Sequence, residues 1–275
     1  MLQIKDLCYW YLPEKIILNN VNITIAENEF VVIAGRNGCG KTTLLNVISG
    51  LLQPRSGGIF LNEKNISKMN INRRSAEIGY VMQDCDTQLF MQTVHDEIAY
   101  GLKCSGKTKS EINEIVDSTL NVMGLYDKKD AYPLALNRSD RIKTVFASIA
   151  ALGPKIFLLD EPFAGQDMRG CKIILDNLTF LRQKGYTIIL VTHNMNITAV
   201  YSDRIIILHN AGLYLNGTPR TVLADADTLA VAGIKPPQIT LLGNTLKKHL
   251  HFENLPLSPG ELAVMLFTKR CKQAL

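Results

Sequence analysis

The sequence lacks any long apolar run, which bears first on how the chain could meet a membrane. No stretch of its 275 residues reaches the roughly 18 to 20 apolar residues that a spanning helix requires. Residues 1–5 have neither the basic start nor the apolar core of a secretory signal. We therefore expect this chain to meet a membrane only peripherally.

Paired cysteines and blocks of charge of one sign are also missing. The cysteines form no Cys-x-x-Cys pair and have no histidine at metal-ligand spacing, which predicts reduced thiols in a cytoplasmic protein. They are Cys8, Cys39, Cys85, Cys104, Cys171 and Cys271. The formal net charge of +5 is small, and lysine and arginine are interspersed with acidic residues. Nucleic-acid binding therefore gains little support.

Short apolar runs alternate with segments of helical periodicity. The runs that predict buried strands are residues 30–34, 155–159, 187–191 and 204–208. Between them, residues 41–51 have an apolar helical face, and Ile174, Leu178 and Leu181 form a second apolar stripe. Strands alternating with helices predict an α/β fold with a mainly parallel sheet.

This alternation divides the chain into four predicted units. Residues 88–152 offer helices, such as 110–123 closed by Gly124, but no convincing strand, so we predict a helical insertion there. Residues 1–87 and 153–218 form the α/β core on either side of it. Residues 219–275 are predicted as a short helical extension punctuated by prolines.

The strongest motif is a glycine-rich loop directly after the first buried strand and directly before a helix. It reads Gly35-Arg36-Asn37-Gly38-Cys39-Gly40-Lys41-Thr42, followed by Thr43, and fits G-x-x-x-x-G-K-[ST]. Its backbone amides and the helix dipole would hold phosphates, Lys41 would reach the β and γ oxygens, and Thr42 would ligate Mg²⁺. A chance match in a chain this long has a probability on the order of 1%.

Two adjacent carboxylates follow the strand at 155–159. Asp160 can hold the Mg²⁺ shell, and Glu161 can act as general base on the attacking water. Taken alone, the pair could be an ordinary acidic strand end. Ligands bind at the carboxyl ends of parallel strands, so the phosphate loop favours the functional interpretation.

His193 follows the strand at 187–191 and should lie on the same edge of the sheet. The alternative is a structural histidine. With the phosphate loop present, we interpret His193 as a group that senses the γ-phosphate or orients the attacking water.

Together these residues resemble the ABC ATPase family, with its P-loop NTPase fold, over nearly the whole chain. The resemblance implies that Gln83 is the Q-loop glutamine, which contacts Mg²⁺ and senses the membrane partner. It also implies that residues 165–167 are the D-loop, with Asp167 at the dimer contact. Tyr11 lies where this family stacks an aromatic ring on adenine, although it could instead be a packed tyrosine at a strand edge.

A narrower resemblance is to the ATPase subunits of energy-coupling factor importers. It rests on the opening at residues 9–11, on Asp86-Thr87-Gln88-Leu89-Phe90 with the later Glu97, and on tail segments 233–238 and 258–262. Leu89 and Phe90 could also be plain core residues. The resemblance implies a second ATPase subunit, a transmembrane scaffold, a separate substrate-binding membrane protein, and a position at the cytoplasmic face of the membrane.

One segment departs from the family. The signature L-S-G-G-Q, which caps the nucleotide of the opposite subunit, is here Leu136-Asn137-Arg138-Ser139-Asp140. We call residues 136–140 the signature segment and expect residues 137–139 to be dimer contacts. Asn137 and Asp140 predict a helix cap of the capping-box kind. Arg138 adds bulk, and Asp140 is expected to place a negative charge near phosphate.

The sequence thus predicts an Mg-ATP-hydrolysing importer subunit in which Lys41, Gln83, Glu161 and His193 carry catalysis. The degenerate signature segment predicts a heterodimer. Two alternatives remain open: a catalytically weak nucleotide-binding regulatory subunit of the same kind of complex, and a soluble ABC protein of repair or translation. The latter group normally carries two cassettes or coiled-coil insertions, and this chain has neither.

Overall fold

The structure is a computed structural model that describes residues 1–250 and 254–273, with the side chains of 248–250 and 269–273 excepted. Ten strands lie within these residues. They are β1 Leu2–Leu12, β2 Lys15–Ile25, β3 Phe30–Ala34, β4 Ser56–Leu61, β5 Lys64–Asn65, β6 Ile78–Val81, β7 Ile156–Asp160, β8 Thr187–Val191, β9 Arg204–His209 and β10 Gly212–Gly217.

Helices fill the intervals between strands and the carboxyl-terminal region. In the described residues they are α1 Lys41–Ser49, α2 Ile71–Ser75, α3 Val94–Cys104, α4 Lys109–Met123, α5 Arg138–Ala151, α6 Met168–Gln183, α7 Met195–Tyr201, α8 Pro219–Val222, α9 Ala226–Val231, α10 Gln238–Leu250 and α11 Pro259–Gln273. None of these helices is long and apolar enough to cross a membrane.

The central sheet has the order β10-β9-β3-β8-β7-β6. The neighbouring pairs β9–β3, β3–β8, β8–β7 and β7–β6 are all parallel, and β10 pairs antiparallel with β9. Every residue of β3, β7 and β8 is buried, which explains why these strands are continuous apolar runs in the sequence. The prediction of an α/β fold with a mainly parallel sheet is confirmed.

A second sheet was not predicted. It is antiparallel, with the order β2-β1-β4-β5, and it packs its apolar side onto α1 and one face of the central sheet. Strands β1 and β2 are buried only at some positions and carry irregular registers, so their sequences lack the continuous apolar runs of β3, β7 and β8. Continuous apolar runs therefore do not predict these two strands.

Residues 88–152 hold α3, α4 and α5 and, in the structure, no strand. Helix α4 begins with a full capping box between Thr108 and Glu111 and ends at Gly124 in a left-handed conformation, as the sequence pattern indicates. The three helices share one core with the buried face of β7 and β8. The predicted division of the chain into four units remains a prediction.

Candidate nucleotide-binding site

A cleft of about 1000 Å³ opens at the carboxyl ends of the central strands. The parallel pairing of β7 with β8 sets Asp160 beside Val191, so the residues that follow both strands meet at this edge. The predicted site residues that line the cleft are Tyr11, Asn37, Gly38, Gly40, Lys41, Thr42, Thr43, Gln83, Asp160, Glu161 and His193. The fold thus brings together residues more than 180 positions apart.

The phosphate loop depends on glycine at two positions in particular. Gly35 has φ 151°, and a Cβ there would lie 2.4 Å from the carbonyl oxygen of Leu208. Gly40 has φ 104° and is the N-cap of α1. Because Gly40 has no side chain to cap α1, the first amide groups of the helix stay free to donate to a phosphate.

Lys41 is buried, and its amino group points back toward the backbone of the phosphate loop. Its Nζ donates to the carbonyl oxygens of Gly35 at 2.8 Å and Arg36 at 3.1 Å. Cys39, between Gly38 and Gly40, is half-buried. Burial raises the pKa of its thiol, and the positive charge of Lys41 opposes that rise. The thiol therefore stays protonated at neutral pH.

Asp160 ends β7 and is only 1% exposed. Its Oδ2 lies 3.4 Å from the hydroxyl of Tyr80, whereas its buried Oδ1 has no hydrogen-bond partner among the described residues. Burial raises the pKa of Asp160, and hydrogen bonds from Thr42 and Tyr80 and the charge of Lys41 oppose that rise. An orphaned carboxylate oxygen beside a threonine hydroxyl fits Mg²⁺.

Mg²⁺ is usually held by one or two carboxylates with water and substrate phosphates. The described part of the chain contains no cluster of three or more His, Cys, Asp or Glu residues suited to a metal. Thr42 and Asp160 would hold the ion together with the nucleotide. Gln83, the third predicted ligand, is exposed and also lines the cleft.

Glu161 and His193 lie next to each other in the lining of the cleft. Glu161 has a left-handed backbone, φ 48°, which is strained for a residue with a side chain. Its Oε1 is buried and lies 3.3 Å from His193 Nε2 without hydrogen-bond geometry, and its Oε2 accepts from the His193 amide at 3.4 Å. Burial raises the Glu161 pKa, while burial and Lys41 lower that of His193. His193 is thus neutral at pH 7.

Tyr11 also lines the cleft. Its ring is 54% exposed, and its hydroxyl lies 3.3 Å from the Thr43 hydroxyl. The ring packs edge-on against Tyr9 and leaves enough surface exposed to stack on a base, so its predicted role at adenine remains a prediction. Lys15 and Phe163 also line the cleft, and neither belongs to a sequence motif that would have identified it.

Tyr80 is a further residue that the sequence reasoning missed. It lies on β6, the strand that pairs with β7, and this pairing brings its hydroxyl to Asp160. Burial raises the pKa of Tyr80, and Asp160 adds to the effect, so the phenol is a hydrogen-bond donor at neutral pH. Only its position three residues before Gln83 could have drawn attention to it.

The segment that follows the predicted Q-loop glutamine is held by hydrogen bonds of two side chains, Gln88 and Glu97. Gln88 accepts from the Met82 amide at 2.8 Å and donates to the Tyr80 carbonyl at 2.9 Å. Glu97, only 4% exposed, accepts from the amides of Phe90 and Met91 at 3.0 and 2.9 Å. Leu89 is a core residue, but Phe90 is 59% exposed and packs edge-on against Tyr100.

The signature segment lies outside the cleft of its own chain. Asn137 is the N-cap of α5, and its side chain accepts from the Asp140 amide at 3.0 Å. The expected reciprocal half of a capping box differs, because Asn137 Nδ2 donates to Asp140 Oδ2 at 2.7 Å instead. Arg138 is exposed, and Ser139 is half-buried.

Asp140 corrects one expectation from the sequence. It is 5% exposed and pairs with Lys128 and Lys143, so it does not present a free negative charge to a phosphate. Burial by itself would raise the Asp140 pKa, but hydrogen bonds from Lys128 and Asn137 hold it below the ordinary value. The residue stabilises the first turn of α5.

The D-loop follows directly from the Glu161 turn. The Ala164 amide donates to the Glu161 carbonyl at 3.0 Å, and Gly165 has φ 67°. Asp167 is exposed and caps α6 by accepting from the Gly170 amide at 2.7 Å. Its predicted contact with another subunit remains a prediction.

Comparison with known proteins decides the family. A family model described as ABC transporter matches residues 18–164, which is more than half of the chain. The chain belongs to the ABC transporter ATP-binding family. The phosphate loop, Asp160 and Glu161 all lie within the matched residues, and the predicted ABC-type P-loop fold is confirmed.

Individual relatives agree with this assignment. An energy-coupling factor transporter ATP-binding protein of Clostridium acetobutylicum is 36% identical, with 90% of each chain covered. A putative ABC transporter ATP-binding protein of Methanosarcina acetivorans is 35% identical over 89% of this chain. This chain spans only 40% of the length of that relative and 39% of a related Methanosarcina mazei protein.

A solved structure is similar over nearly the whole chain. It is cbiO1 from Clostridium perfringens, described as part of the ABC transporter complex cbiONQ, with a TM-score of 0.75 and 29% identity. The alignment covers 91% of this chain and 95% of that one. The predicted resemblance to energy-coupling factor ATPase components is therefore confirmed.

Proposed function

We propose that this chain binds and hydrolyses Mg-ATP as an ATPase subunit of an energy-coupling factor type importer. The observation that carries the proposal is the meeting of Lys41, the orphaned Asp160 carboxylate and the Glu161–His193 pair in one cleft. No described helix could span a membrane, so transport would require membrane partners. The chain would then act at the cytoplasmic face of the membrane.

Catalysis by these residues would be positioning and charge neutralisation. The α1 amides and Lys41 hold the phosphates, and Mg²⁺, when bound by Thr42 and Asp160, supplies positive charge to the transferring phosphoryl group. Glu161 accepts a proton from the attacking water, because its raised pKa makes it a better base than an exposed carboxylate. Neutral His193 orients that water or the γ-phosphate, and Gln83 reports occupancy.

Tyr11 would stack on the adenine ring, completing the nucleotide site made by residues 35–43. The exposed ring and its position beside Thr43 support this role. As the family resemblance implies, we assign choice of a vitamin or metal ion to a separate substrate-binding membrane protein beside a transmembrane scaffold.

The degenerate signature segment supports a heterodimer. Asn137 occupies the first-turn amide of α5, and Arg138 stands where the family has glycine, so this segment would cap a partner's nucleotide poorly. A partner ATPase with an intact signature would complete the site at Lys41. Asp167 and residues 137–139 are our candidates for the contact with that partner.

A second candidate is a catalytically weak regulatory subunit of the same kind of complex, and the signature segment is the observation that favours it. The substitution Glu161→Gln separates the two. For an ATPase, binding of a fluorescent ATP analogue with Mg²⁺ should be retained, and hydrolysis by the purified complex should fall by about 10² to 10⁴. For a regulatory subunit, wild type and variant would hydrolyse ATP at the same low rate.

A control keeps the test specific. Glu63, an exposed acidic residue in the turn between β4 and β5, should tolerate the change to glutamine without loss of hydrolysis. If neither the wild-type chain nor its complex binds the analogue with Mg²⁺, the proposed function is wrong.

A further inference from the structure

Two arginines in the first turn of α5 reach out of the helical region to loops of the nucleotide site. Arg138 Nη2 donates to the carbonyl oxygen of Ala164 at 3.0 Å. Its guanidinium also lies 3.3 to 3.4 Å from the place that a Cβ on Gly165 would occupy, so it packs on the D-loop backbone. Arg138 therefore contacts its own chain.

Arg141, one helical turn further on, contacts the other loop. Its Nη1 lies 2.5 Å from Asp86 Oδ2. Asp86 is in the short turn that follows Gln83, and the two hydrogen bonds of Gln88 tie this turn to the end of β6. A displacement of Asp86 would thus be transmitted to the segment that carries Gln83.

The turn that carries both arginines is itself firmly anchored. Asn137 caps it, Asp140 pairs with Lys128 and Lys143, and the Thr144 hydroxyl donates to the Asp140 carbonyl at 2.8 Å. Like charges three residues apart on a helix repel each other. Here each guanidinium has an acceptor of its own on a different loop, which keeps the two arginines apart.

Both loops contribute residues to the same cleft. Gln83 lines it from the Q-loop side, and Phe163 and Ala164 line it from the D-loop side. A glycine at position 138, as in the family signature, has no side chain with which to reach Ala164. The replacement by arginine exchanges a contact with a partner's nucleotide for a contact within the chain.

We propose that Arg138 and Arg141 are positioning residues that tie the D-loop and the Q-loop of this same chain to the first turn of α5. The first turn of α5 then acts in cis as a link between the two loops of the chain's own nucleotide site. This inference rests on the proposed function for its significance, although the contacts themselves exist without nucleotide.

The test is amide hydrogen exchange on the purified full-length chain without nucleotide. Arg141→Gln should speed exchange by about threefold to tenfold at Thr87 and Leu89, whose amides close the turn containing Asp86. Arg138→Gln should do the same at Ala164 and Gln166. Each variant should leave the other loop and the α5 amides near Val145 unchanged.

Two further variants make the outcome decisive. Arg73→Gln, on the exposed side of α2, is the matched control and should alter neither loop. Exchanging the charges with D86R and R141D together should restore protection of the Q-loop turn, whereas R141D alone should not. Restoration would show that the ion pair, and not arginine bulk, holds the turn.

The contrary result is equally clear. If exchange in both loops is unchanged by Arg138→Gln and Arg141→Gln, the arginines do not act in cis and the inference is overturned. Faster amide exchange throughout α5 in either variant would also overturn the inference, because the arginines would then only stabilise the helix. Failure of ATP binding would refute the proposed function while leaving these exchange results standing.

Discussion

The phosphate loop and the signature segment both lead into the N-terminus of a helix, but only one of these N-termini is capped by a side chain. Helix α1 starts at Gly40, which has no side chain, so its first amides remain free. Helix α5 starts at Asn137, whose side chain already binds the Asp140 amide. A helix N-terminus is available to phosphate only where the chain does not cap it, so the two helices differ in function although they share a geometry.

The largest expected difference is in the loss of ATP hydrolysis when the phosphate-loop lysine of this chain or that of its partner is replaced. In the heterodimer, Lys41→Ala should lower ATP hydrolysis by about 100-fold, because it removes a charge that stabilises the transferring phosphoryl group. The equivalent change in the partner should cost less than about threefold. Hydrolysis by the purified complex measures both, with Lys64→Ala on β5 as the control.

Equal losses of ATP hydrolysis from the two lysine changes would contradict the expected difference between the two nucleotide sites. So would a fully active homodimer of this chain, because both of its sites would then depend on the degenerate signature segment.

Rebuilding the signature segment sharpens the same comparison. The four changes Asn137→Ser, Arg138→Gly, Ser139→Gly and Asp140→Gln restore L-S-G-G-Q and remove the side chains of Arg138 and Asp140 from the start of α5. In a complex that also carries Lys41→Ala, remaining hydrolysis comes from the partner's cradle, and it should rise at least about tenfold. Asp140→Gln alone, as control, should give no rise.

No increase in that background would mean that the weakness of the partner's site has a cause other than this segment.

A moderate effect on stability is expected from Asp140→Asn. The change removes a buried charge that two lysines neutralise, so we expect a loss of about 1 to 3 kcal/mol in unfolding free energy. The Asp140 pKa is lowered in the folded chain, so its contribution is present above the ordinary value of about 3.9 and is lost as pH falls below it. Chemical denaturation at pH 7 and at pH 3.5 measures both effects.

The difference between wild type and Asp140→Asn should therefore shrink at the lower pH. A difference that stays constant would assign the stability to the hydrogen bond of Asn137 alone.

The smallest expected effect is a displaced pH profile. Burial raises the Glu161 pKa above the ordinary value of about 4.3. As the pH falls, the carboxylate therefore becomes protonated, and stops acting as a base, at a higher pH than an exposed glutamate would. Hydrolysis should fall as pH is lowered through that raised value, and the residual rate of Glu161→Gln should lack this decline. A midpoint at or below pH 4.3, with the fold intact by circular dichroism, would contradict the assignment of Glu161 as base.

The sequence alone determined those parts of the molecule in which a local pattern has one physical meaning. Continuous apolar runs gave β3 and β8 with the observed bounds, and glycine spacing located the cradle, because buried parallel strands and phosphate loops each demand a narrow set of residues. It could not locate the antiparallel sheet, whose strands are only partly buried.

Only the tertiary structure decided where side chains distant in sequence meet. It placed Tyr80 against Asp160, buried Asp140 between two lysines, and turned Arg138 and Arg141 toward loops of their own chain. None of these contacts follows a sequence period. Each depends on which strands and helices become neighbours, and that is set by packing of the whole core.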